Sequence, residues 1–280
     1  MELFIQQLTN GLAVGGIYAL IALGYTMVYG VLKLINFAHG DLFTIGAYLG
    51  LTLLTTLGLT NYLGPFGVVI VLALMVMGLV AIVGAALERV AYRPLRQSHR
   101  LSAVVSALGA SIFFQNAVML IYGARYKVYP HDILPRTAIN IFGLDIPLIR
   151  LLMLLTSIVM MIGLYLFIQR TKIGTAIRAA AIDQGAAKLM GINVDRVIMI
   201  VFLIGPGLGG AAGLMVGLYY GQINFTMGWL YGLKAFTAAI LGGIGNIPGA
   251  MVGGLLLGVI EAMGAAYISI AWKDAIPFCV

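Results

Sequence analysis

The sequence has little charge. Of 280 residues, nine are acidic and 16 basic, a charged fraction of 9% where soluble domains carry about 25%. So little charge cannot cover a chain of this size in water, which excludes a soluble globular protein. Disorder is excluded too, since it requires low hydrophobicity and 62% of these residues are hydrophobic. A single cysteine, Cys279, rules out a disulfide framework and a cysteine metal site. Three histidines without a His-Glu-x-x-His pattern leave zinc hydrolysis unsupported. No Gly-Lys dipeptide occurs, so there is no Gly-x-x-x-x-Gly-Lys phosphate loop and no sign that the chain hydrolyses ATP. Gly109-Ala110-Ser111 has the outline of an intramembrane serine nucleophile, but no later span offers a histidine base. Ser111 therefore reads as a helix-packing residue. Nothing implies a cofactor, and a transport role is expected rather than an enzymatic one.

What is present is a succession of apolar runs. Mean hydropathy is +1.07, and 37 residues are glycine, above the usual share of about 7%. Small residues let membrane helices pack closely. At about 20 residues per span the expected fold is all-α: a polytopic helical membrane protein of about eight or nine transmembrane segments. Spans read at 8–32, 42–59, 66–90, 101–122, 148–169 and 197–220. The stretch 231–270 reads as two helical pieces around Leu241-Gly242-Gly243-Ile244-Gly245-Asn246-Ile247-Pro248-Gly249. Glu2 and the lack of a basic n-region mark the first run as a retained span. The end, Lys273-Asp274 followed by Ala275 to Val280, reads as an apolar segment cut short, so truncation is expected.

A net charge of +7 and a pI near 9.5 would suit nucleic acid, but the charges lie in short loops between apolar runs. Lipid, not nucleic acid, is the expected surround. Loop 88–100 holds Arg89, Arg93, Arg96 and Arg100, and segment 170–196 holds Arg170, Lys172, Arg178, Lys188 and Arg196. The polar loop 123–150 also carries basic residues, diluted by Asp132 and Asp145. Two spans separate the first two basic segments, so they share a side, read as cytoplasmic, with the N-terminus outside.

An internal repeat organises the single permease domain of 1–280. Asn36-Phe37-Ala38-His39-Gly40-Asp41-Leu42 follows the first span, and Asn224-Phe225-Thr226-Met227-Gly228-Trp229-Leu230 follows the sixth. Both read Asn-Phe-x-x-Gly-x-Leu. Chance remains an alternative in a chain rich in Gly and Leu. If the repeat holds, its halves, about 8–170 and 197–280, lie an odd number of spans apart and are inverted. Inverted repeats with broken helices line a substrate route near the midplane. The candidate path residues are then Asn36, His39, Gly40, Asp41, Asn224, Gly228, Gly242, Gly243, Asn246 and Glu261. His39 and Asp41 read either as ionisable groups at depth, which are expensive and functional, or as parts of a hydrated cytoplasmic turn. Glu261 needs a partner or a wet cavity if it is inside the bilayer. It reads as a pathway group, a helix–helix lock, or an interfacial glutamate, with Lys234 near the start of a neighbouring run.

Residues 174–192 read as a short amphipathic helix outside the bilayer, rich in Ala, with Gly191 at a C-cap position. Its apolar face needs a cover, either lipid headgroups or the groove of a soluble partner.

These residues resemble a known family, the LivH-like permease subunits of branched-chain amino acid ABC importers. The resemblance runs over nearly the whole length. It is carried by Tyr25 to Gly30 with Ile35 to Asp41, Glu88-Arg89-Val90-Ala91-Tyr92-Arg93-Pro94-Leu95-Arg96, Leu189 to Arg196, and Lys234 to Ala250. It implies a bacterial inner-membrane heterodimer with a related second permease, two cytoplasmic ATPase subunits, and a periplasmic binding protein delivering leucine, isoleucine or valine. Segment 170–196 would be the coupling segment, with Arg178, Asp183, Lys188 and Gly191 at the ATPase interface. Two features depart from the family pattern: Pro206, where a small non-proline residue is usual and a kink is expected, and the missing final apolar span. Permeases for urea or short-chain amides are similar. A secondary transporter or channel using His39, Asp41 and Glu261 is the rival from another class.

Overall fold

The computed structural model describes residues 2–58, 63–96, 98–130, 138–141 and 144–279. His131, Asp132 and Pro135 of the polar loop lie outside them. Ten helices follow in order: α1 (Glu2–Leu32), α2 (His39–Leu57), α3 (Pro65–Leu87), α4 (Arg100–Tyr122), α5 (Leu148–Arg170), α6 (Lys172–Ile182), α7 (Gln184–Leu189), α8 (Val194–Tyr220), α9 (Met227–Leu241) and α10 (Ile247–Tyr267). Among the described residues, seven are long and apolar enough to cross a membrane, and α9 is a shorter apolar helix of 15 residues. The expected eight or nine spans thus resolve into seven full-length helices and one short one. The polar loop is not bare. β1 (Lys127–Val128) pairs antiparallel with β4 (Gln222–Ile223), and β2 (Ala138–Ile141) forms a hairpin with β3 (Leu144–Pro147).

Helix α1 is the axis of the bundle. It is apolar on every side, and nearly all its residues from Gly11 to Val31 are buried, as an all-apolar helix must be. It packs most extensively on α10, and α8 packs in the same way on α3. Glycine makes both contacts close. A Cβ on Gly15 or Gly258 would collide with the facing backbone of α10 or α1, and one on Gly84 would meet the Phe202 carbonyl and the Pro206 ring. Lipid tails are as apolar as leucine, so close van der Waals contact rather than hydrophobicity drives such pairing. The outer faces of α3, α4 and α5 present Ile82, Leu101, Ile112, Phe113, Leu120 and Val159, all exposed, where lipid or a second subunit would cover them.

Pro206 does not end α8, which runs unbroken from Val194 to Tyr220. Proline has no N–H for the carbonyl four residues back, and that carbonyl, on Phe202, is the one Gly84 approaches. Gly84 leaves room for the Pro206 ring and the Phe202 carbonyl at this contact.

Two tethers fix the ends. At one, Tyr129 is buried under the sheet, with its hydroxyl donated to the Ala47 carbonyl and its ring against Gly217. At the other, Arg96 bridges Glu88 and Asp195, joining the end of α3 to the start of α8. The basic segments 88–100 and 170–196 therefore do share an end. Beyond α3 the chain widens into a π turn (Glu88–Tyr92) and then tightens into a 3-10 turn (Arg93–Leu95). After α10 the chain turns back, Ile276 reaching Gly264, and closes with a 3-10 turn at Ile276–Phe278.

Gly258→Val forces α1 and α10 apart at a cost of about 1–3 kcal/mol. The thermal midpoint of the detergent-solubilised protein should fall by several degrees. Gly163→Ala, where an added Cβ meets nothing within 4 Å, should leave it unchanged.

Candidate functional site

The two Asn-Phe-x-x-Gly motifs fold alike. In the first, Asn36 Oδ1 accepts the Ala38 N–H at 3.1 Å. In the second, Asn224 Oδ1 accepts the Thr226 N–H at 2.8 Å. Ala38 and Thr226 have nearly the same backbone angles, φ −74°, ψ −3° and φ −98°, ψ −3°. Each motif starts a helix at its fourth residue, His39 for α2 and Met227 for α9. Each side-chain turn accepts one orphan N–H, that of the residue just before the helix.

The two starts then meet. A Cβ on Gly40 would strike the Gly228 carbonyl, and one on Gly228 would strike the Gly40 carbonyl. Two helix N-termini abut inside the bundle, where only glycine permits the approach. The meeting point is deep. His39 Nε2 donates to the Ile21 carbonyl at 3.2 Å, and Ile21 lies eleven residues before the end of α1, about 16 Å in at 1.5 Å per residue. His39 and Asp41 are 0% and 2% exposed, so the hydrated-turn reading of 33–41 is corrected: the chain re-enters after α1.

Asp41 sits in the first turn of α2, where the helix dipole favours a carboxylate. It accepts from Ser111 Oγ and from Gln115 Nε2, the latter at 3.0 Å. Ser111 is thus a partner of Asp41 and not only a packing residue. A groove of about 630 Å³ opens beside them, lined by Leu108, Ile112, Thr226, Trp229 and Leu230. The His39 ring packs edge-on to Tyr25, centroids 4.7 Å apart. Asn36 also accepts from the Tyr92 hydroxyl at 2.9 Å, tying the first motif to the end of α3.

Glu261 belongs to a second cluster. Lys234 Nζ lies 2.8 Å from Glu261 Oε1 and 2.6 Å from Asp274 Oδ1, and Tyr18 donates to Glu261 Oε2 at 2.7 Å. Glu261 is 8% and Lys234 3% exposed, which replaces the interfacial reading with a buried ion pair joining α1, α9 and α10. Gly242, Gly243 and Asn246 do not join the path motifs. They form the turn between α9 and α10, at the far end of α9 from Gly228, with Gly243 at φ +83°. Gly242 packs on Gly249, and the exposed Asn246 caps α10.

The 174–192 stretch is two helices, not one. Asp183 breaks it, its side chain accepting from Gly185 and Ala186 N–H to cap α7. Gly191, at φ +82°, closes α7, with Ile192 N–H bonded to the Ala187 carbonyl. Arg178 is exposed and turned back onto Gln169 at 2.9 Å, and Lys188 is exposed. The most exposed apolar residues here are Ile182, Leu189 and Met190, at 87%, 91% and 82%. Gln184 Nε2 donates to the Val31 carbonyl at 2.6 Å, so α7 is fixed to the end of α1 just before the re-entrant turn.

Sequence reading missed Ser111, Gln115, Tyr18, Tyr25, Tyr92 and Asp274 as partners. A signal existed for two of them: Ser111 and Gln115 lie four apart, on one face of a largely apolar helix.

These features define a polytopic membrane protein whose paired broken helices meet in the bundle interior. Comparison with known proteins gives the family: residues 7–280 match the model of the permease component of the branched-chain amino acid transport system. The high-affinity branched-chain amino acid transport system permease protein BraD of Pseudomonas aeruginosa is 45% identical over 282 residues, covering 98% of this chain and 91% of that protein. LivH of Escherichia coli is 43% identical over 282 residues, covering 99% and 91%. A probable LivH of Methanocaldococcus jannaschii is 28% identical over 213 residues, covering 74% and 64%. No solved structure matches the chain. The chain belongs to the branched-chain amino acid transport permease family; it is a transport subunit.

Lys234→Met leaves Glu261 buried without its partner, at a cost of about 3–5 kcal/mol. The melting midpoint should drop sharply. Lys234→Met with Glu261→Met removes both charges and should recover most of the loss.

Proposed function

We propose that this chain is the permease subunit of an ABC importer for branched-chain amino acids in a bacterial inner membrane. It pairs with a related second permease, is driven by two cytoplasmic ATPase subunits and receives cargo from a periplasmic binding protein. The observation that carries this reading is a family match along nearly the whole chain, on a fold whose two repeated motifs meet at Gly40 and Gly228. Cargo would pass beside this junction. Asp41, held by Ser111 and Gln115, borders the groove together with Trp229, while Asn36, His39, Gly40, Asn224 and Gly228 shape it. The matched turns at Asn36 and Asn224 support repeat halves of about 8–170 and 197–280. Gly242, Gly243, Asn246 and Glu261 are assigned to structural roles.

The end bearing Lys33, Arg96 and segment 170–196 is assigned to the cytoplasm, because basic loops stay inside. Helices α6 and α7 are assigned as the coupling segment. Three apolar side chains so exposed on two short helices need a cover, and an ATPase groove supplies one. Asp183 and Gly191 act by shaping α7, and Arg178 and Lys188 by offering charge around the apolar tips. The link to the path is short, since Gln184 holds the last turn of α1. Differential docking of the two permease states is what converts ATP-driven closure into gate movement.

Leu189→Asp with Met190→Asp, in the purified complex, should abolish cargo-stimulated ATP hydrolysis and leave the melting midpoint unchanged. Unchanged stimulation overturns the coupling assignment. In liposomes the full complex with binding protein should accumulate leucine only with ATP. ATP-independent uptake by this chain alone would overturn the importer reading in favour of a secondary transporter.

A further inference from the structure

A separate cavity of about 210 Å³ lies at the end of the bundle remote from α6 and α7, between the end of α8, α9 and the residues after α10. It is smaller than the roughly 300–1,000 Å³ that takes a drug-sized ligand. Buried Lys234 forms its floor, Tyr220, Tyr231 and Leu230 stand in its walls, and Lys273 and Asp274 lie at its rim.

The charges are mixed and confined. A lysine ammonium has three N–H donors, and Lys234 commits two, one to Glu261 and one to Asp274. The two carboxylates differ. Glu261 is clamped from its other oxygen by Tyr18, whereas the Asp274 side chain is 47% exposed and meets Lys234 through a single oxygen. Asp274 is therefore the partner that can turn away. Doing so frees a second N–H on a buried cation and presents a carboxylate at the rim. A ligand with one charge sign meets a repelling group here, whereas a small body with both signs meets a partner for each.

We propose that this cavity binds a free α-amino acid with an aliphatic side chain. Its α-carboxylate pairs with Lys234 and Lys273, and its α-ammonium pairs with Asp274 and faces the Tyr231 and Tyr220 rings. Its side chain lies on Leu230. Leu230 also lines the groove beside Asp41, so the cavity adjoins the proposed path. This makes the cavity a receiving station on the outer side, which rests on the amino acid importer reading above.

The test is direct binding of radiolabelled leucine to the purified complex in nanodiscs, without binding protein. Leucine should bind saturably. 4-Methylpentanoate, which lacks the ammonium, and isoamylamine, which lacks the carboxylate, should compete poorly. Asp274→Asn and Lys273→Met should each weaken binding about tenfold or more, the usual cost of a lost charged hydrogen bond. Lys273 is exposed, so its substitution should leave the melting midpoint unchanged and keeps the test valid if Asp274→Asn misfolds. Equal competition by either single-charge analogue, or unchanged leucine affinity in Lys273→Met, overturns the proposal. So does absence of saturable binding in a complex that still imports leucine with ATP and binding protein, a result that leaves the importer reading intact. A complex that fails to import leucine at all overturns the importer reading instead.

Discussion

The structure depends on one constraint: a helix that starts inside a membrane must satisfy its free N–H groups without water. Two helices here start that way, and each solves the problem with the same asparagine turn. The two starts also cover each other in part, an approach that requires glycine at 40 and 228. Irregular backbone at depth is tolerated only where protein or a wet cavity covers it. Much of the rest follows. α1 must be apolar all round because re-entrant chain and helices surround it, and α8 takes the same place in the second half. Glycine brings the helices close at both the α1–α10 and the α3–α8 contacts.

The end that carries α6 and α7 is built on the same axis. α1 ends where Gln184 reaches the Val31 carbonyl, and the chain then turns back to Asn36. Tyr92 holds Asn36 from the end of α3, and Arg96, four residues on, reaches Asp195 at the start of α8. A displacement of α6 and α7 therefore meets the root of the broken helix within a few side chains. Under the proposed coupling no long-range relay is needed, because α7 and the turn that positions His39 and Asp41 share one helix end.

Much of this was legible in the sequence, for physical reasons. Low charge and long apolar runs require a bilayer, and the spans read from them match the helices closely. The likeness was visible as four identical positions in two motifs, because the turn uses asparagine and the contact between the two helix starts uses glycine. Depth was not legible. Nine residues between two spans look the same whether they cross a headgroup layer or fold back into the bundle, and it is the burial of His39 and Asp41 and the His39 bond to Ile21 that separate the cases. The partner of Glu261 was hidden in another way. Lys234 is 27 residues off, and Tyr18 lies at the far end of the chain. Charge pairs between helices leave no periodic trace. The break at 242–249 misled because glycine and asparagine mark any helix boundary, and this one is a capped surface turn.

The repeat also explains where the fold departs from symmetry. Positions equivalent under the motif hold His39 and Met227, and Asp41 and Trp229. Backbone requirements fix the shared residues, so the differing ones are free to serve the groove. One half contributes a buried carboxylate with two donors, and the other a large, half-exposed ring on the same groove. A route for a small amphipathic solute needs both kinds of surface, and an exact two-fold would supply only one. The ionic cluster at Lys234 adds a further difference, since α2 carries no lysine or arginine. Symmetry thus serves the turns that must be buried, and asymmetry is confined to the side chains that line the space between them.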